Sequence, residues 1–154
     1  MCLDLMKDDS TLKVAKEDII CYKWLLKYRD GALFSPYQQK QYQLNSRIRD
    51  VKRSIREVKR REAYGPDGDR LTHTLTQGGF HTFKNKEDAL CLLKYDVYVG
   101  GPLNVLVECT IPKGSKYYEG YFKDWGYGAA FESYASKELI VGDIVYVQEE
   151  INIE

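Results

Sequence analysis

The run Asn104-Val105-Leu106-Val107-Glu108-Cys109-Thr110-Ile111 constrains this chain more than any other stretch. Val105, Val107 and Cys109 alternate with Leu106 and Glu108, and β-branched residues dominate, so the run reads as a central, largely buried strand. Pro112 then removes a ladder donor, and Gly114 permits a turn that most residues resist. The residues just beyond, Lys113, Ser115, Lys116, Tyr117 and Tyr118, are basic, hydroxyl-bearing and aromatic. Groups of this kind at a strand end suit an anionic, ring-bearing ligand.

A strand in that position needs partners on both sides, and the chain supplies them. Ile19-Ile20-Cys21-Tyr22-Lys23-Trp24-Leu25-Leu26 is rich in β-formers. Asp30-Gly31 signals a turn, and Pro36 pushes Ser35 out of the helical region, so Phe34-Ser35-Pro36-Tyr37 is an extended loop. Arg70–Thr76 alternates strictly, and Phe80-His81-Thr82-Phe83 is a short extended piece. Glu138–Val141 and Asp143–Val147 are expected as two last strands separated by Gly142. Between them and the central strand, Tyr121–Gly128 reads as a glycine-rich aromatic loop around Trp125, placed to act as a lid or to cover the core edge.

Two segments have a helical period. Leu44, Ile48, Val51, Ile55 and Val58 recur at steps of four, three, four and three, which predicts an amphipathic helix over about 45–63, capped by Asn45 or Ser46 and stopped at Gly65-Pro66. Its other faces carry Arg47, Arg49, Lys52, Arg53, Arg56, Lys59, Arg60 and Arg61 against Asp50, Glu57 and Glu62, a local charge of +5 in a chain with net charge zero. Such a face is either solvated, a contact for nucleic-acid phosphates, or a self-association surface. Its two heptads are fewer than a coiled coil needs. A shorter helix over about 85–94 begins at Asn85, with Asp88 in the reciprocal capping position. The sum is one α+β domain over 17–154, a mixed or antiparallel sheet with a helical insertion at 45–63, preceded by a flexible polar lead-in over 1–16.

Composition narrows the class. A hydrophobic share of 44% and a charged share of 30% over 154 residues belong to a globular domain with a real core. The chain has 13 Tyr against 5 Phe, and Tyr suits both strands and the walls of binding sites. No apolar run approaches the ~20 residues of a membrane span, and the acidic N-terminus lacks the layout of a signal peptide, so a cytoplasmic location is expected. Cys2, Cys21, Cys91 and Cys109 stand far apart with two His in the chain, so neither a metal centre nor a disulfide framework is predicted. No cofactor is indicated. Cys2 would become an N-terminal thiol-amine on removal of Met1, but no base adjoins it in sequence.

Ile20–Lys23, Ser35-Pro36-Tyr37, Gly79–Ala89, Ile111–Gly120 and Tyr134-Ala135-Ser136 together resemble a pattern in small proteins of gut Bacteroides-type bacteria and their phages, for which no activity is established. The resemblance spans Lys16 to Val147, with Ser46–Ala63 as an insertion relative to it. It implies a phage or mobile-element origin, where small proteins bind or block host-defence components. A second similarity is to ADP-ribosyltransferases, through the strand with Tyr22-Lys23, the segment at Ser35 and the strand after Ile111-Pro112-Lys113-Gly114. That similarity implies a catalytic Glu at Glu132 or Glu138 beside His81 or Lys23, although the family's Ser-Thr-Ser element is missing.

These readings give a leading expectation: a non-enzymatic binding protein that captures a nucleotide-derived signalling ligand or docks on a host-defence protein. Its ligand-binding residues would be Tyr22, Lys23, Ser35, Tyr37, His81, Phe83, Lys113, Ser115, Tyr117, Tyr118 and Trp125. The alternatives are an NAD- or nucleotide-processing enzyme, and nucleic-acid binding through Arg49, Lys52, Arg53, Arg56, Lys59 and Arg60. Self-association through 45–63 is a further expected use of that segment.

Overall fold

The computed structural model describes residues 3–4, 12–36, 40–49, 56–64, 70–77, 79–92, 102–124 and 129–148. They form one sheet of thirteen strands, in which every ladder between described residues is antiparallel, and one helix. In chain order the strands are β1 (Leu3–Asp4), β2 (Lys13–Val14), β3 (Ile19–Lys27), β4 (Leu33–Phe34), β5 (Gln41–Tyr42), β6 (Ser46–Arg49), β7 (Arg56–Tyr64), β8 (Arg70–Gln77), β9 (Phe80–Phe83), β10 (Leu103–Ile111), β11 (Lys116–Asp124), β12 (Ala129–Ser136) and β13 (Glu138–Val147). The helix, α1 (Lys86–Leu92), lies between β9 and β10.

The main path runs β6-β13-β10-β3-β9-β12-β11-β1-β8-β7. In that order β12 and β13 are four strands apart, which on a flat sheet is about 19 Å. Lys137 alone joins them, and so short a link reaches only about 7 Å. The turn from Ile111 to Lys116 makes the corresponding crossing from β10 to β11. The sheet therefore curls on itself, and both crossings seal the same end. A single register pair, Tyr22 with Phe83, joins β3 to β9 among the described residues, and the curled sheet turns its corner there.

Curling gives the sheet an inner and an outer face. Inside lie Cys21 and Leu25 of β3, Val105, Val107, Cys109 and Ile111 of β10, and Leu139 and Val141 of β13, with Phe80 and Tyr134 closing the cluster. Outside, Leu106 and Phe83 are covered by α1 through Ala89, Leu90 and Leu92, and by Tyr22, Trp24, Phe122 and Phe131. The Trp24 indole N–H donates to the carbonyl of Ala89 at 2.9 Å, which fixes the helix against the sheet. The central strand is thus apolar on both sides because both are covered, as its sequence requires.

The α+β expectation is corrected. In place of a long helix over 45–63, Ser46–Arg49 is β6 and Arg56–Tyr64 is β7, and 50–55 lies outside the described residues. Asn45 adopts φ +55° in the turn into β6, a conformation Asn tolerates, instead of capping a helix. In β6 the period is two: Ile48 packs on the inner core while Arg47 and Arg49 reach Glu138. β7 covers the edge that the alternating β8 would otherwise present, so the ladder overrides the helical propensity of its Arg, Glu and Lys. The shorter helix is Lys86–Leu92, and 93–94 lies outside the described residues. Within the expected lead-in 1–16, Leu3–Asp4 pairs with β8 and β11, and Lys13–Val14 pairs with β11. Tyr121–Asp124, expected in a loop, continues β11. The two expected last strands are one, β13, running through Gly142.

Candidate functional site

β3 positions the most unusual side chain. Register opposes Cys21 to Cys109 and Lys23 to Val107, so Lys23 projects into the inner core with the two thiols beside it. The residue is only 9% exposed. Its ammonium donates to the carbonyl of His81 at 2.9 Å, and no carboxylate among the described residues forms an ion pair with it. Burial pulls the ammonium down to about 8. The Cys109 and Cys21 sulfurs act in the opposite sense, and Lys40 adds to the fall. A buried cation compensated by one carbonyl is costly, and its environment favours an incoming anion.

Two rings lead outward from Lys23. Its Nζ stands 5.7 Å from the centre of the Tyr42 ring. Tyr42 meets Phe80 edge-on at 6.4 Å, and the Nζ of the exposed Lys40 lies over Phe80 at 4.8 Å. Cation and ring thus alternate from surface to interior in the order Lys40, Phe80, Tyr42, Lys23. The β4–β5 hairpin carries this arrangement: Ser35 donates its backbone N–H to the Lys40 carbonyl at 2.9 Å, and β4 pairs with β3. Beside Lys23, the buried Thr82 hydroxyl lies against the Cys21 thiol and has no oxygen or nitrogen partner among the described residues.

Further along the inner face, Tyr134 meets Tyr117 edge-on at 5.8 Å. Burial first, then the charges of Glu119, Cys21, Tyr117 and Glu132, push the Tyr134 phenol well above its ordinary range. Glu119 is bridged to Lys13 at 3.2 Å and Lys84 at 3.4 Å, and the Asn85 amide reaches Glu132 at 3.3 Å.

The expected ligand residues do not form one rim. Lys23 and Tyr117 belong to the inner side, whereas Tyr22 and Phe83 pack on the outer side with α1. Alternation along β9 sets His81 on the side opposite Phe80, and what it offers Lys23 is its main-chain carbonyl. Tyr118 is buried on the opposite side of β11 from Tyr117. Lys113 is exposed on the closing turn, where its N–H donates to Asp18 at 2.8 Å, and Ser115 is buried below it. Ser35 is buried at the end of β4. Tyr37, Trp125, Lys52 and Arg53 lie outside the described residues, and Arg56, Lys59 and Arg60 fall on β7. Arg49 is on β6, bound to Glu138.

Glu138, one of the two carboxylates suggested by the transferase similarity, is held by the guanidinium groups of Arg47 and Arg49, through Nε contacts of 3.1 and 2.7 Å. Those hydrogen bonds, Arg47 first, keep it below the ordinary carboxylate range, which unfits it as a general base. Sequence reasoning missed Lys40 and Tyr42, because Gln38–Gln43 carries no period that marks a strand, and it read Phe80 as part of an extended piece without a role at the site. No helix among the described residues is long and apolar enough to cross a membrane. Among them no group of three or more His, Cys, Asp or Glu is placed to hold a metal.

No protein-family model, no curated protein and no solved structure matches this chain.

Proposed function

We propose that this is a non-enzymatic binding protein that takes a small anionic, ring-bearing ligand of the nucleotide type along the Lys40–Phe80–Tyr42–Lys23 column. A phage or mobile-element setting gives such capture a use: it removes a signalling nucleotide from host defence. The observation that carries the reading is the buried Lys23 ammonium, which faces thiols, a phenol and one carbonyl where a buried cation ordinarily has a carboxylate. A phosphate or carboxylate would complete its shell, and Tyr42 and Phe80, both buried between Lys40 and Lys23, would wall an entering base once the β4–β5 hairpin parts from the core.

Thermal-shift measurements with cyclic dinucleotides, NAD and ADP-ribose test it. A ligand at about 100 times its Kd adds about 2.7 kcal/mol of stability, an easily resolved rise in Tm. Lys23→Met is expected to fold and to lose that rise. A set of nucleotides none of which moves the Tm rejects ligand capture and leaves docking on a defence protein as the working role.

A further inference from the structure

The sealed end of the curled sheet has a second, separate character. Ser115 places its hydroxyl 3.5 Å from Glu138, and the Lys137 N–H donates to the Lys116 carbonyl at 3.1 Å, so the β10–β11 turn and the β12–β13 link lie together. Ala15 joins them, accepting from the Gly114 N–H at 2.8 Å and donating to the Ser115 carbonyl at 2.9 Å. This brings Lys16, Lys113, Lys116 and Lys137 to the end that already carries Arg47 and Arg49. Among the described residues at this end, six cations face three carboxylates, Glu17, Asp18 and Glu138, on a chain of net charge zero.

The two arginines are organised in a way that scattered surface lysines are not. Both bind one carboxylate that is itself buried, yet their own side chains remain 61% and 71% exposed. Glu138 therefore fixes the guanidinium planes without covering their outer N–H groups. Arg47 and Arg49 are two residues apart on an edge strand, about 7 Å, a step comparable to that between successive phosphates of a nucleic-acid strand. β6 ends the sheet's main path, so nothing in the ladder order stands outside these side chains among the described residues.

We propose that this end docks the phosphodiester backbone of a nucleic acid, with Arg47 and Arg49 as a paired phosphate clamp and Lys113 and Lys116 contacting the same strand. The contacts go to phosphate alone, so binding is expected to be indifferent to base sequence and steeply salt-dependent. It needs neither Lys23 nor the ligand column, and its failure leaves that reading untouched.

Fluorescence anisotropy with a labelled mixed-sequence oligonucleotide, between about 50 and 200 mM salt, tests it. The unaltered protein is expected to bind. Arg47→Gln/Arg49→Gln is expected to weaken binding about ten-fold or more and to reduce the salt slope by about two. Because that pair also holds Glu138, Lys113→Gln/Lys116→Gln provides a second variant on an exposed turn, with the same expected direction. Lys27→Gln/Arg29→Gln removes two charges from the opposite end of β3 and is expected to bind almost as the unaltered protein does. No binding at low salt overturns the proposal, as does an equal loss in all three variants, which would mean diffuse attraction only. Capture of poly-glutamate in place of the oligonucleotide, lost in the Arg47/Arg49 variant, overturns it in favour of an acidic protein partner.

Discussion

Cys21 of β3 and Cys109 of β10 stand directly opposite each other in the ladder, as two free thiols with almost no solvent exposure. Burial pushes the Cys109 thiol up to about 12 and Cys21 higher still, against the opposing pull of Lys23. The thiolate is the reactive form, so both are inert while the inner face stays closed. Cys91, exposed on α1, has no such protection. Iodoacetamide in mildly alkaline buffer is therefore expected to modify Cys91 in the native protein and to reach Cys21 and Cys109 only after denaturant is added. Peptide mapping by mass spectrometry reads this directly. Modification of Cys21 in the folded protein would show that the curled sheet opens.

The same interior makes a prediction about pH. The Lys23 ammonium sits at about 8 in the folded protein against an ordinary 10.5, so between those values the unfolded chain binds more protons and stability rises with pH. The thiols act oppositely: their folded values lie above the ordinary 9.0, so stability falls once pH exceeds about 9. Urea unfolding is expected to show a small net gain between pH 8 and 9, where about 1 kcal/mol from Lys23 is largely offset by the two thiols, followed by a decline. Lys23→Met removes the gain, keeps the decline, and is expected to equal or exceed the unaltered protein in stability at neutral pH. A destabilised Lys23→Met would mean that the ammonium is better compensated than its neighbours suggest.

Much of the sheet was legible in the sequence, and what failed did so for local reasons. Ile19–Leu26 and Asn104–Ile111 read as strands from their β-branched and aromatic residues, and they fall within β3 and β10. Arg47-Ile48-Arg49 satisfied two periods at once, since Ile48 lies four residues after Leu44 yet also alternates with its arginines. The pairing of β6 with Glu138–Val141 decides between them, and that pairing is not visible locally. Lys23 stands out in the sequence only through the resemblances that include Tyr22-Lys23. Its burial and its neighbours from β5 and β9 come from a register that only the folded sheet creates.

Gly142 shows how a glycine inside a strand misleads. It reads as a break between two strands, yet β13 continues through it, and the register shifts where Val107 pairs with Ile144 and Cys109 with Val141. A bulge lies there, and a Cβ added to Gly142 would come within 2.6 Å of the Glu108 carbonyl oxygen. Backbone has to move to relieve that contact. Gly142→Ala is expected to cost about 1–3 kcal/mol in chemical unfolding, the usual cost of overpacking. An unchanged midpoint would place the bulge elsewhere.

Glu138 supplies the acid-side counterpart of Lys23. Arg47 and Arg49 hold its carboxyl below the ordinary 4.5, so below that pH the unfolded chain takes up its proton first. The contribution is complete above about 4.5 and is lost as pH falls through the depressed folded value. Both arginine side chains are more than half exposed, so solvent screens the pair and its worth is about 1 kcal/mol. Glu138→Gln is expected to lower stability by about that amount at neutral pH and to flatten the decline below pH 4.5. High salt is expected to narrow the neutral-pH difference, because the guanidinium ends lie in water. An acid limb that keeps its slope in Glu138→Gln would assign the acid sensitivity to other carboxylates.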